Sequence, residues 1–167
     1  MMFASHLVAQ ASSLIDRCRA KRLKIATAES CTGGLIAAVI TSVAGSSDVF
    51  EAGFVTYSNT AKTAMIGVTA ELIAQHGAVS AEVARAMARG ALDHSAANLS
   101  VAVTGVAGPG GGTALKPVGL VHLAAARKGG ASVHRELRLG DIGREAVRLA
   151  AVEVAVAMLY ELASTDP

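Results

Sequence analysis

The sequence predicts a layered α/β domain built around a mixed sheet. Three observations carry that expectation. Helical and strand patterns alternate along the chain, polar glycine-punctuated segments follow predicted strands, and the last two strands are joined by a hairpin-sized turn. The 167 residues suit one domain over 1–167, long enough to bury most of its apolar surface. Apolar residues make up 52% and charged residues 17%, which excludes a disordered chain. There is no Trp, so packing must come from small, close-fitting side chains.

Leu7, Val8, Ala11, Leu14, Ile15 and Cys18 recur at helical spacing and predict a first helix over about 4–21. A short strand follows over 24–28. Gly33-Gly34 introduces a second helix carrying Leu35, Ile36, Val39 and Ile40 and ending near Gly45. A strand around 53–57 and short helices around 59–66 and 69–75 come next. Ser80 reads as an N-cap, with Glu82 in the first turn of a helix running to about 95. Three strands are predicted over about 99–104, 118–126 and 131–139, the last two joined at Lys128-Gly129-Gly130. The final helix, about 142–163, is apolar nearly all round. That means deep burial or a subunit interface, and a homo-oligomer is expected.

Composition narrows the function classes. A net charge of +2 and five aromatic residues give little material for nucleic-acid binding, so no nucleic-acid partner is expected. The basic group Arg17, Arg19, Lys21, Arg22 and Lys24 reads as a solvated helix C-terminus. Cys18 and Cys31 do not suggest a disulfide framework, and no secretory signal opens the chain; a cytoplasmic protein is expected. The uncharged stretch 30–47 is broken by glycines, and 149–162 is interrupted by Glu153 and Glu161, so no membrane span is expected.

Ligand sites in open α/β sheets lie at the carboxyl ends of strands, which directs attention to three segments. Thr27-Ala28-Glu29-Ser30-Cys31-Thr32-Gly33-Gly34 places a serine and a cysteine where a strand gives way to a helix. Free amides there can hold an anion or a developing oxyanion. Ser30 and Cys31 compete as nucleophiles, and simple capping by Ser30 or Thr32 is the structural alternative. The five histidines show no metal-spaced pair and no readable relation to Cys31, so no metal is expected.

In the second segment, Tyr57-Ser58-Asn59-Thr60-Ala61-Lys62, the lysine lies among Phe50, Phe54 and Met65. Desolvation of a buried lysine lowers its pKa; moving it to about 7 costs roughly 4–5 kcal/mol. A neutral lysine can take the proton of a serine hydroxyl; an ordinary surface lysine is the other reading. The third segment runs from Thr104-Gly105 through Gly108-Pro109 to Gly112, with Lys116 beyond. Its amides can approach a phosphate closely, although it lacks the ending of a P-loop; a plain surface loop is the alternative.

Taken together these segments are more specific than any one of them. Thr-Ala-Glu-Ser-Cys-Thr-Gly-Gly, Gly-Phe-Val-Thr-Tyr-Ser-Asn-x-x-Lys, Gly-Ala-Val-Ser and Thr-Gly-x-Ala-Gly-Pro-x-Gly-Gly resemble the motifs of the CinA C-terminal domain family. The resemblance covers roughly residues 5–162. It implies a three-layer α/β/α domain with a mixed, about five-stranded sheet. The family includes bacterial nicotinamide-nucleotide amidohydrolases, which convert nicotinamide mononucleotide and water to nicotinate mononucleotide and ammonia. The resemblance places the nucleophile on Ser30, the family lysine on Lys62 and the family tyrosine on Tyr57. It implies substrate contacts from Cys31, Thr32, Gly33, Gly34, Thr104, Gly105, Gly108 and Pro109, with Arg144 and Arg148 on the last helix. It departs at Gly110, where many members carry an acidic residue. The partner implied is a small nucleotide, with no cofactor. A non-catalytic nucleotide-sensing module linked to competence or DNA damage is the alternative from another class, and an amidase for some other phosphorylated amide is a third.

Overall fold

The computed structural model describes residues 2–165. Among these residues six α-helices are interspersed with five strands: α1 (Ser5–Ala20), β1 (Ile25–Glu29), α2 (Leu35–Thr41), β2 (Phe50–Val55), α3 (Asn59–Ile66), α4 (Ala70–His76), α5 (Ala81–Asp93), β3 (Leu99–Gly105), β4 (Leu120–Arg127), β5 (Ser132–Arg138) and α6 (Arg144–Ser164). The sheet order is β2-β1-β3-β4-β5. β1 runs parallel to both β2 and β3, whereas β4 is antiparallel to β3 and β5. The expected mixed five-stranded α/β fold is present.

The order of the strands positions the site. After β1 the chain moves outward to β2, then crosses back over β1 to β3. Right-handed crossovers in opposite directions require helices on opposite faces, and the ends of strands at such a reversal leave a crevice. Accordingly α1, α2 and α6 share one hydrophobic core with the sheet, while α3, α4 and α5 contribute to the other.

Side-chain size divides between the two faces. Leu99, Val101, Val103, Val121 and Leu123 face α6, whereas Ala26, Ala28, Ala102, Ala124 and Ala126 face α5. The small residues let α5 sit close to the sheet, where the Ser100 hydroxyl donates to the Ala88 carbonyl at 2.6 Å. Gly90 continues that close packing: a Cβ there would run into the carbonyl oxygen of Ile66, at the end of α3.

Two boundaries differ from expectation. α2 stops at Thr41 rather than near Gly45. Thr41 and Ser42 donate their hydroxyls back to the Ala37 and Val39 carbonyls, each at 2.7 Å, satisfying the last turn. β2 begins at Phe50, earlier than 53, because Phe50 already pairs with Ile25. The near-uniform apolarity of α6 is explained within the single chain: the helix is wedged between α1, α2 and strands β3 and β4. Among the described residues no helix is long and apolar enough to cross a membrane. His122 and His134, 12 residues apart on the two strands of the β4–β5 hairpin, meet with Nδ1 and Nε2 2.9 Å apart. No group of residues suited to a metal ion occurs among the described residues.

Candidate active site

The site grows out of the ends of three parallel strands. Glu29 closes β1, opposite Val55 of β2 and Val103 of β3. The next residue, Ser30, donates its amide to the Val103 carbonyl at 3.0 Å, while Thr56 donates to the Glu29 carbonyl at 2.8 Å. These bonds hold Ser30 between the ends of β2 and β3.

The capping alternative for Ser30 and Thr32 is overturned. The fully buried carboxylate of Glu29 takes that role instead. It accepts from the amides of Gly34 (3.1 Å), Ile36 (3.0 Å) and Ala37 (2.9 Å) and from the Thr32 hydroxyl (2.6 Å). A negative charge among free helix amides is favourable, and here it also sets the tight turn that presents Ser30. Gly34, at φ +100°, completes that turn in a conformation that side chains resist. Glu29 was quoted in the motif without a role. A carboxylate five to eight residues ahead of its amide partners matches no short-range cap pattern. We expect Glu29→Gln to cost roughly 2–3 kcal/mol of stability, because its NH₂ cannot accept where the carboxylate does. A denaturation midpoint equal to that of the unsubstituted chain would contradict this account.

Lys62 arrives from the other side. Ser58 caps α3 by accepting the Ala61 amide at 3.0 Å, and this phase turns Lys62 inward. The lysine is only 1% exposed. Its Nζ lies 3.0 Å from Ser30 Oγ, 3.0 Å from the Thr56 carbonyl and 3.3 Å from the Tyr57 carbonyl. Donor arithmetic is informative here. All three neighbours are oxygens, so a protonated ammonium donates to each of them, whereas loss of one proton leaves two N–H groups for the carbonyls and a lone pair facing the Ser30 hydroxyl. Burial pushes the lysine pKa below its ordinary 10.5, opposed by the field of the Cys31 thiol. The expected apolar setting needs one correction: Phe54 packs in the α5-side core, but Met65 is exposed and Phe50 packs against the other core.

Cys31 has no such base. It is buried, and burial pushes its thiol up to about 11; its own amide, Arg148 and Lys62 offset this only in part. The geometry pairs the base with Ser30.

The remaining expected residues divide. The Tyr57 phenol does not face Ser30; it accepts from Arg144 Nη2 at 2.9 Å, and only the Tyr57 backbone carbonyl meets Lys62. Arg144 also donates through Nη1 to the Gly108 carbonyl at 2.8 Å, so one guanidinium ties Tyr57 to the glycine-rich loop. Arg148 donates to the carbonyls of Cys31 (Nε, 3.1 Å) and Thr32 (Nη2, 3.0 Å). Both arginines line a groove of about 470 Å³ between α1, the start of α2 and α6.

Other contacts narrow the expectation. The Gly33 amide donates to the Ser30 carbonyl and the Gly34 amide to Glu29, so neither is free for an oxyanion. The Thr104 hydroxyl donates to the Ala78 carbonyl at 2.8 Å, tying β3 to the Gly-Ala-Val-Ser turn. Gly105 lies within β3, where a Cβ would press on Leu120 and Val121. Pro109 is exposed beside the buried Gly108. Lys116 donates to the His76 carbonyl at 2.6 Å, at the end of α4, and so serves as a tether there.

The sequence and the fold both have relatives among known proteins. The family model for the CinA C-terminal domain matches residues 8–163. A CinA-like protein of Citrifermentans bemidjiense is 59% identical over 126 residues, 75% of this chain and 30% of that protein. A CinA-like protein of Akkermansia muciniphila is 51% identical over 145 residues, 87% of this chain and 35% of that protein. The chain thus spans about a third of the length of these curated relatives. Among solved structures, the competence/damage inducible protein CihA from Agrobacterium tumefaciens superposes with a TM-score of 0.94 at 52% identity, covering 96% of this chain and 97% of that one. A CinA superfamily protein from Klebsiella pneumoniae gives a TM-score of 0.89 at 33% identity, covering 95% and 98%. With its motifs, its fold and nearly its whole length matched, the chain belongs to the family of CinA C-terminal domains.

Proposed function

We propose that the chain hydrolyses the carboxamide of nicotinamide mononucleotide, releasing ammonia, as a serine–lysine amidase. One observation carries this reading: the Nζ of a buried lysine lies 3.0 Å from the hydroxyl oxygen of a serine at a strand end, with two backbone carbonyls as its other neighbours.

Ser30 Oγ attacks the amide carbon while Lys62 takes its proton. The oxyanion is received by the amide of Thr32, which has no acceptor among the described residues, and by that of Cys31, which otherwise faces only its own sulfur. One good donor of this kind contributes about 3 kcal/mol. Lys62 returns the proton to the leaving nitrogen, ammonia departs, and water attacks the acyl-enzyme with Lys62 again as base. The cationic pyridinium ring makes the amide carbon more electrophilic. The scheme uses no metal or organic cofactor. Arg144 is the better placed phosphate anchor, because it is exposed and one of its present partners is the exposed Tyr57 phenol, which it can exchange.

The test is ammonia release from the mononucleotide, the riboside, free nicotinamide and the dinucleotide. The mononucleotide should be preferred over the riboside by about a thousandfold in kcat/KM, since remote binding energy positions the amide. Equal rates on both would remove the phosphate from the account. No ammonia from any of them would assign the site to binding without turnover.

A further inference from the structure

The backbone of the turn after Ser30 can be accounted for group by group. From residue 31 to residue 37, Gly33 donates to Ser30, Leu35 to Thr32, and Gly34, Ile36 and Ala37 to Glu29. Among the described residues the Thr32 amide is left over, and the Cys31 amide meets only its own sulfur. Each belongs to a peptide unit whose carbonyl is anchored. The Ser30 carbonyl, in the unit bearing the Cys31 amide, accepts from Gly33 at 3.0 Å. The Cys31 carbonyl, in the unit bearing the Thr32 amide, accepts from Arg148 Nε at 3.1 Å, and no other donor reaches it among the described residues.

A trans peptide is planar, with its C=O and N–H pointing opposite ways. Whatever fixes the Cys31 carbonyl therefore aims the Thr32 amide. We infer that Arg148 is a positioning residue for the oxyanion site: its fork holds the Cys31 and Thr32 carbonyls and so aims the Thr32 amide away from α6. Val147, Ala151 and Val152 are fully buried around it and lock the helix that carries the fork. In this role Arg148 spends Nε and Nη2 on the backbone of the turn, and the phosphate falls to Arg144. This inference rests on the amidase reading of the site.

The experiment compares the unsubstituted chain with Arg148→Ala and Arg148→Lys. In Arg148→Ala, kcat should fall about 100-fold or more, the cost of one misplaced oxyanion donor. The fall should be the same on the mononucleotide and the riboside, with KM changed less than about threefold. Arg148→Lys keeps the charge but has no fork, and should lose at least about tenfold in kcat. Added methylguanidinium should restore part of the alanine variant's rate. If the alanine variant does not fold, the lysine variant decides alone. A KM increase confined to the mononucleotide, with kcat retained, would make Arg148 a phosphate anchor and overturn the inference.

A second readout does not depend on the substrate. A dialkyl fluorophosphate forms a Ser30 Oγ–phosphorus bond and expels fluoride, Lys62 takes the serine proton, and the phosphoryl oxygen occupies the oxyanion position. Labelling should slow in Arg148→Ala by a factor similar to that in kcat. Labelling at the unsubstituted rate overturns the inference whatever the substrate. An unsubstituted chain that labels but releases no ammonia from any amide overturns only the amidase reading, and the labelling ratio still decides the role of Arg148. One that neither labels nor hydrolyses overturns both.

Discussion

Replacing Ser30 by alanine should lower kcat by about 10⁴-fold or more while leaving the thermal transition within a few degrees, because it removes the attacking atom and nothing that holds the fold. The Ser30 hydroxyl caps no helix; its near neighbours are Lys62 Nζ at 3.0 Å and the Tyr57 carbonyl at 3.5 Å. Cys31→Ala is the paired control. Its thiol is buried with a pKa raised to about 11, so near neutrality it is almost wholly protonated and shielded from reagents. The Cys31→Ala variant should keep at least a tenth of the activity, and iodoacetamide should inactivate the unsubstituted chain slowly. An active Ser30→Ala with a dead Cys31→Ala would exchange the two roles. Since the residues adjoin, that outcome would also require a turn unlike the one Glu29 holds.

The fold was legible wherever the sequence repeats with the period of its element. Leu7 through Cys18 and Val83 through Leu92 are one-sided patterns, and both became helices with those residues buried, Val8 only in part. Boundaries escaped where side chains act on their own backbone, as Thr41 and Ser42 do at the end of α2. Ser30 and Lys62 could be marked separately, one at a strand end and one in an apolar setting. Their 3.0 Å approach depends on the parallel pairing of β1 with β2, which no local pattern encodes. Glu29 and Arg148 show the harder case. Apart from the Thr32 hydroxyl, their partners are backbone groups, three amides up to eight residues downstream for Glu29, and two carbonyls more than a hundred residues upstream for Arg148. Backbone amides and carbonyls occur at every position, so side-chain identity alone does not show which ones a charged residue will meet. The same holds for the Thr104 hydroxyl and the Lys116 amine, which the structure binds to the backbone carbonyls of Ala78 and His76.

Lys62 offers the sharpest test of the chemistry. Burial holds its pKa below 10.5, so the neutral amine required of a base is populated at lower pH than for an exposed lysine. Activity as kcat/KM should therefore rise with pH through an apparent pKa below 10.5 and level off above it, since the protonated lysine has no lone pair for the Ser30 proton. Lys62→Arg separates charge from basicity: its guanidinium stays protonated near neutrality, and kcat should drop about 10³-fold or more. Lys62→Ala should be similarly inactive yet still bind the mononucleotide, because proton transfer is needed in the transition state and not for binding. A small primary amine such as ethylamine, added to Lys62→Ala, has room to occupy the vacated space. It should restore part of the rate, more at pH values where the amine is neutral. Suppose instead that Lys62→Arg retains a tenth or more of kcat and the pH profile is unchanged. Lys62 would then contribute only positive charge, and the Ser30 proton would need another acceptor. The Tyr57 phenol cannot fill that role from where it stands, bonded to Arg144 at 2.9 Å, so a movement of Tyr57 toward Ser30 on substrate binding would become the next hypothesis to measure.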